Sequence, residues 1–595
     1  MRFVFAIVAF VVAAGMIAFG IAQRTILAPE DRVASTVEID SDAAYTVIDG
    51  SVMNSNTGQQ RLLASGSDTV FAAYGRTGDM LAWLGDEPYN SIGYDAETSS
   101  LTSEVVSDPV PPTDAAAAEE DAAPPAPAGS DLWLEETSAE GSLGWTVNVP
   151  DDISILLASD GTAPAPSEIS VSWPVVHLTP WAGPLIIGGG ILLLVGLGLY
   201  IWGLVHMRRT RGPRRKAPPK MPAPPRIKAP KQRALEPTVT AKGRRSAKRV
   251  VAGLAIGGAG VLVLSGCTSA DFDDYFGGAP APTPSASASA QADEEITPVA
   301  VTQPQVERIV ETVSAVATEA DAARNLDLLK TRFTGPALQQ REANYAMRGA
   351  DGNIPAPDAI PATPLRLDLP EATDTWPRRV LAVVGEGADT TPPTVLVMIQ
   401  ATPRENYLVT YAMRLQADID FPAVAPPTVG APVVAPDSRL LSVRPDQLGV
   451  QFADLLAKGP ESEFYSIFAE KPDGLRTQVG LDYKNAKRAA LPSTATLEFG
   501  NGAGTGPVIA FASNESGAIV ATDIVERETA RVAEEGATVN LEGQVKALSG
   551  LTSTKTAVES TYGYQLLFYV PPSTDDTSQV VLLGYSQGLI AVKEL

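Results

Sequence analysis

The sequence predicts a membrane protein with three transmembrane segments. An all-β, sandwich-like ectodomain follows the first, and an α+β ectodomain follows the third. Three observations carry this. Three apolar runs stand at 3–22, 185–205 and 250–266. Short β-type runs fill the stretch between the first two. Beyond residue 300, helical periodicity gives way to strands.

Phe3–Ala22 is twenty apolar or small residues, flanked by Arg2 and Arg24. At about 1.5 Å per residue that spans a bilayer core. The run also fits a cleavable signal peptide, with Gly20 and Ala22 as the small residues before the cut. Either reading sends the following segment outside. Leu185–Val205 has Trp181 before it and Tyr200 and Trp202 near its far end, as interfaces favour. Between Arg208 and Arg249 there are 16 Lys and Arg against one acid, Glu236. This Pro-rich loop is cytoplasmic by the positive-inside rule and suits anionic lipid. No aromatic is interleaved for base stacking, so nucleic acid is not its partner.

The third run, Val250–Gly266, follows Lys242, Arg244, Arg245, Lys248 and Arg249. It contains Gly253 and Gly257, a GxxxG spacing that suits helix packing. It ends in Leu264-Ser265-Gly266-Cys267, which resembles the lipobox of bacterial lipoproteins. The resemblance implies lipidation of Cys267, with cleavage before it. A lipoprotein signal normally opens a chain, and this one does not. The other reading is a third span whose cysteine is incidental.

Cys267 is the single cysteine, so no intramolecular disulfide forms. The two histidines, His177 and His206, both lie beside the second run. A Cys/His zinc cluster is excluded, and so is a histidine-based catalytic site beyond residue 300. The net charge is −24, and outside the basic loop the chain is strongly acidic. That also argues against nucleic acid.

The expected organisation is a β-sandwich over 23–183, with a disordered Pro-, Ala- and acid-rich insert at 108–130. The second span takes 184–206, the basic loop 207–249 and the third apolar segment 250–266. A flexible tether covers 267–300, and two α+β units cover 301–440 and 441–595. Expected strands in the first ectodomain are 35–39, 45–48, 70–74, 80–84, 145–149 and 153–157. Trp83, Trp133 and Trp145 are read as core. In the α+β region, helices are expected at 305–318, 320–333, 447–457, 461–468 and 475–490. Strands are expected at 379–384, 394–402, 407–415, 494–499, 507–512, 518–529, 538–541, 564–569 and 580–585. Helices first and an antiparallel sheet afterwards resemble the NTF2/cystatin-like fold, here in tandem. That fold implies a concave pocket and serves both enzymes and binding modules.

Three motifs are weighed and set aside. Gly584-Tyr585-Ser586-Gln587-Gly588 has the nucleophile-elbow pattern, but no acid and histidine follow in the required order. It is read as a hairpin turn. Gly500–Gly506 is glycine-rich, but a strand follows where a dinucleotide loop needs a helix. It is read as a flexible hairpin loop. The D-x-D tripeptides at 40–42, 271–273 and 418–420 are read as chance, with no metal site and no cofactor.

The opening 29 residues, the basic internal loop and the LSGC segment together resemble a group of actinobacterial multi-span envelope proteins. Some of these are labelled glycosyl transferase. No catalytic motif goes with the group, so the resemblance implies location and architecture only. The location is a bacterial cytoplasmic membrane, multi-pass, with both large domains outside. The function expected is non-enzymatic: presentation of ectodomains to membrane lipid and to an envelope protein, wall or lipid ligand. The alternative is an enzyme or accessory subunit of envelope glycan assembly.

Overall fold

The computed structural model describes residues 2–26, 32–107, 126–175, 181–209, 297–386, 392–417, 419–471, 473–575 and 577–595. Leu264, Ser265, Gly266 and Cys267 lie outside them, as do Gly253, Gly257 and Asp271–Asp273. The chain divides into two compact units. One holds the apolar helices. The other joins residues 34–173 to residues 291–595.

The chain opens with α1 (Arg2–Arg24) and enters an eight-stranded sheet: β1 (Arg32–Glu38), β2 (Tyr45–Ile48), β3 (Gln60–Arg76), β4 (Tyr89–Asp95), β5 (Ser100–Val106), β6 (Glu135–Val147), β7 (Ile153–Ala158) and β8 (Glu168–Pro174). The order is β1-β8-β3-β7-β2-β4-β5, with β6 on the other side of β3. This is one sheet and not the two-sheet sandwich expected. β3 makes the difference. Its 17 residues pair with β8 over Arg61–Ser65 and with β7 over Phe71–Arg76. Both faces of the sheet are apolar. Ile155 and Leu157 face one core cluster, and Leu156 and Ala158 the other.

Two helices interrupt the strands, α2 (Gly50–Met53) and α3 (Thr77–Leu84). α3 corrects the strand expected at 80–84. Met80, Trp83 and Leu84 are all buried at helical spacing. The short apolar run lacked the length to tell the two periods apart. Trp83 and Trp133 are core, each 1 % exposed, with ring centroids 5.2 Å apart.

α4 (Ala182–Arg209) pairs with α1. Both are long and apolar enough to cross a membrane. Their buried residues are small and recur every seventh position: Ala6, Ala13 and Gly20 on α1, and Ala182, Gly189, Gly196 and Gly203 on α4. A Cβ at Gly189 would lie 2.7 Å from Ile17 Cγ1, and one at Gly20 would lie 2.7 Å from Ile186 Cγ1. Small residues let two apolar helices approach closely where no hydrophobic drive separates them from lipid.

The α+β region runs α5 (Gln303–Ala323), α6 (Leu326–Lys330), α7 (Gly335–Ala350), β9 (Leu365–Pro370), β10 (Arg378–Val384), β11 (Thr394–Gln400) and β12 (Leu408–Leu415). A second half repeats helices, then strands: α8 (Pro445–Lys458), α9 (Gly474–Val479), α10 (Leu481–Ala489), β13 (Ala495–Ala503), β14 (Ile509–Ala512), β15 (Ala518–Val532), β16 (Val539–Asn540), α11 (Gly543–Ser549), β17 (Ser553–Thr554), β18 (Ala557–Val570) and β19 (Val581–Glu594). The order within each half follows expectation, but the two halves share one sheet. β13-β15-β18-β19-β12-β11-β10-β9 is continuous, and β12 meets β19 at the seam. The expected division at 440/441 is therefore not a division of the sheet.

Several local expectations change. Residues 461–468 form turns after a 3-10 segment and not a helix. The helix expected at 475–490 is two, broken at Gly480, where a Cβ would lie 2.3 Å from Arg476 O. β13 runs on through Gly500 and Gly502, paired with Arg527 and Val525, so much of the supposed glycine loop is strand. The expected tether to residue 300 ends early, because Val299 bridges Ala372 and Ala300 N donates to Glu371 O.

The eight-stranded sheet and the α+β region are joined by buried charge. Arg378, 1 % exposed at the start of β10, forks onto Asp79 of α3 at 2.6 and 2.9 Å. Its guanidinium stacks on Trp376, 3.7 Å from the ring centre. Arg332 reaches Asp131 at 2.5 Å, and the same carboxylate accepts the Tyr407 amide. Arg404 donates to the carbonyls of Trp83 and Leu84 at the end of α3, where a cation suits the helix dipole. Gln305 closes the capping box of α5 with Thr302, and its amide nitrogen donates to Asp131 O and Leu132 O.

Removing one member of such a pair leaves the other charge buried and unpaired. Asp79→Ala should therefore cost about 3–5 kcal/mol, whereas the double change Asp79→Leu with Arg378→Met should cost much less. Urea unfolding followed by tryptophan fluorescence reads this directly. A loss of under about 1 kcal/mol for Asp79→Ala, the scale of an exposed pair, would show that the junction does not rest on it.

Candidate functional site

A cavity of about 990 Å³ opens where the two half-sheets meet. Its origin lies in the seam. β12 and β19 share only two residue pairs, Arg414 with Tyr585 and Leu415 with Gly584. A Cβ at Gly584 would lie 2.6 Å from Arg414 O, so glycine is what lets the strands close. Away from those pairs β12 and β19 no longer pair with each other, and helices wall the gap.

One wall is α7. Ala337, Gln340, Arg341, Asn344 and Met347 line the cavity from it at helical spacing. α7 was not foreseen. It begins with Gly335-Pro336 and is half polar, so its apolar positions are too sparse to show a period. The opposite wall carries Gln478 of α9 and Tyr483 of α10, and Gln544 of α11 also lines the cavity.

The G-x-S-x-G residues lie inside β19, and Tyr585, Ser586, Gln587 and Gly588 line this cavity, so the stretch is not the expected hairpin turn. Ser586 Oγ lies 2.9 Å from Gln340 Oε1, to which it donates. Gln565 Nε2 donates to the same oxygen at 2.8 Å, and Gln565 Oε1 accepts the Ala412 amide at 2.8 Å across the seam. Gln478 bridges Tyr585 OH at 2.7 Å and Gln587 at 2.9 Å. The serine therefore belongs to an amide network, with no base beside it among the described residues.

Each acidic residue in the lining has a cationic partner. Lys484 Nζ lies 2.6 Å from Glu526, Lys487 lies 2.6 Å from Glu528, and Arg414 lies 2.9 Å from Asp358. Burial pushes the Glu526 carboxyl up, and the Lys484 contact opposes it. Tyr562, Tyr564 and Tyr585 are all shifted up, chiefly by burial, and stay neutral hydroxyls.

Behind this wall, Asp523 accepts the amides of Gly506 at 3.0 Å and Thr505 at 3.2 Å. A Cβ at Gly504 would lie 1.8 Å from Asp523 Oδ2. The glycines thus wrap an internal carboxylate. Among the described residues no group of three or more His, Cys, Asp or Glu is placed to hold a metal ion. Asp418 lies outside the described residues.

Together these features define an α+β domain with a polar cleft at the junction of two half-sheets. Residues 297–594, half of the chain, match the family described as "Domain of unknown function (DUF8094)", and the chain belongs to that family. The match begins next to Val299, whose carbonyl accepts from Arg76, and leaves out the eight-stranded sheet that docks there. No curated protein and no solved structure gives a significant match.

Burial raises the Asp523 carboxyl above the usual carboxylate range, although the Gly506 and Thr505 amides and Tyr411 oppose the shift. A raised folded value means that the folded state binds the proton more tightly. The stability from this group is therefore full below the unfolded carboxylate value and is lost as pH rises through the folded one. Asp523→Asn should remove that segment of the pH–stability curve. Unfolding midpoints between about pH 4 and 8 test it, and an unchanged slope in the variant would assign the titration elsewhere.

Proposed function

We propose that this chain is a multi-pass envelope membrane protein whose two ectodomain pieces assemble outside the cytoplasmic membrane into one non-enzymatic binding body, with the seam cavity as its ligand site. The buried Arg378–Asp79 pair carries the reading. Residues 34–173 and 297–595 fold against each other, so they share one side of the membrane. α4 lies between them and is one crossing. A second crossing must fall between residues 210 and 296, and Val250–Gly266 is the apolar run that serves. The basic loop before it marks the cytoplasmic side. The small-residue contact of α1 with α4 favours a retained anchor over a removed signal peptide.

The cavity favours binding over catalysis. Its carboxylates are held by cationic partners, and Ser586 is committed to Gln340. The alternative, a role in envelope glycan assembly, keeps the same location and the same cleft.

Single cysteines placed in a Cys267→Ser background test the topology. Ser142→Cys and Thr574→Cys, both exposed, should react with a membrane-impermeant maleimide on intact cells, and Ser246→Cys in the basic loop should not. Labelling of only one of the first two would separate the pieces and end the proposal.

The same topology puts Cys267 at the outer end of its crossing, where the lipobox resemblance calls for acylation. A C-terminally tagged chain should then give a short fragment beginning at acylated Cys267. That fragment should be absent from Cys267→Ala and should co-purify with the N-terminal piece through the buried pairs. A single full-length band with a free thiol would mean an uncleaved three-span chain.

A further inference from the structure

Resting on the reading of the cavity as a ligand site, we infer that its ligand is a neutral polyhydroxylated molecule of several rings, an uncharged oligosaccharide. The size is at the upper end of small-molecule pockets, about 990 Å³. That is more than one compact metabolite needs.

The lining is charged, but its charges cancel locally. Arg341 is paired with Asp321 and Arg414 with Asp358, while Glu526 and Glu528 are paired with Lys484 and Lys487. An ionic ligand would lose its hydration and find each counter-charge already engaged. An apolar ligand fares no better, because amides and phenols from both halves project into the space. Gln544, with the hydrogen-bonding capacity that Gln340, Gln478 and Gln587 keep beyond their mutual bonds, offers donors and acceptors side by side, and a hydroxyl group is both at once. Tyr483, 40 % exposed, and Tyr562 add flat apolar faces with polar rims, a surface that suits the C–H face of a sugar ring.

Asn344 supplies the sharpest pointer. Its Nδ2 donates to Pro355 O at 3.0 Å, which fixes the orientation of the amide. Its Oδ1 is buried and has no hydrogen-bond partner among the described residues. An unpaired buried acceptor is costly, and a small turn of this amide toward the cavity that Asn344 lines would let a ligand donor remove that cost. A hydroxyl meets the need without bringing charge. An extended peptide also carries N–H donors, and it is the competing occupant that the test must exclude.

The experiment uses the full chain in lipid nanodiscs, free of glycoside detergent. The probes are neutral hexasaccharides of glucose, mannose and N-acetylglucosamine, an acidic oligogalacturonate and an uncharged octapeptide. Calorimetry gives Kd, and hydrogen exchange reports protection at 474–489 and 560–566. At least one neutral hexasaccharide should bind and protect both segments. Asn344→Leu should weaken it by about tenfold, the worth of one buried hydrogen bond. Gln544→Leu, at the exposed rim of the cavity, should weaken it in the same direction and gives a second reading where Asn344→Leu disturbs folding. Binding of the oligogalacturonate or the peptide alone would overturn the ligand class while leaving the cavity a binding site. Full-strength binding by both variants would overturn the placement of the sugar. Protection by none of the probes would overturn both the sugar and the cavity as its site, while the cysteine labelling would still stand or fall independently.

Discussion

The structure depends on one buried ion pair between residues 299 positions apart, Asp79 and Arg378. Most of the contact around it follows from satisfying these two groups. Arg378 also donates to Asp374 O and, at longer range, to Ala300 O, and Trp376 covers its face. That fixes the entry of the α+β region against α3. Arg404 then meets the Trp83 and Leu84 carbonyls at the end of α3, and Arg332 meets the Asp131 carboxylate. Buried ion pairs are poor sources of net stability, because both partners give up hydration. What they impose is geometry. A slipped docking leaves a bare charge inside the protein, so wrong arrangements are disfavoured more strongly than an apolar interface would manage.

The elements that periodicity exposes were legible in the sequence. The spans of α1 and α4, strand β2 over residues 45–48 and the helices-then-strands order of both halves are set by local pattern. α3 was misread because five apolar-rich residues fit both periods. α7 was missed because one face meets the sheet and the other a polar cavity, which leaves few apolar positions to count. The docking was illegible in principle. Nothing near Asp79 or Arg378 marks either as a partner, and charged residues on short elements normally read as solvated. A sevenfold recurrence of Ala and Gly through α1 and α4 was the available signal for helix pairing, whereas GxxxG pointed to a segment outside the described residues.

Motif reading misassigned the glycines for a related reason. In the G-x-S-x-G stretch, Gly584 serves the seam, where a side chain would strike Arg414 O. In the 500–506 stretch, Gly504 and Gly506 leave room for Asp523. Each resembles a known catalytic or phosphate-binding pattern because close backbone approach demands the same residue everywhere. What separates the cases is the group being approached. Here it is a neighbouring strand and an internal carboxylate.

The seam also explains why the cavity has the character it has. A sheet continued across many pairs would leave no space between the halves, and a sheet not joined at all would leave an open groove exposed to water. Two residue pairs close the sheet at one point, and beyond it β12 and β19 part from each other. Side-chain amides then take over the hydrogen bonding that backbone would otherwise complete, as Gln565 does for the Ala412 amide. Backbone groups at a broken seam are neutral and polar, so the side chains that replace their partners are neutral and polar too. The buried charges of this wall, Lys484 and Glu526, are paired, because a single one would be buried without hydration. A site made this way is rich in directional hydrogen bonds and poor in free charge, and a carboxylate with a lysine 2.6 Å away is poorly placed to trade protons with a substrate. The proposed recognition of uncharged groups rests on this geometry.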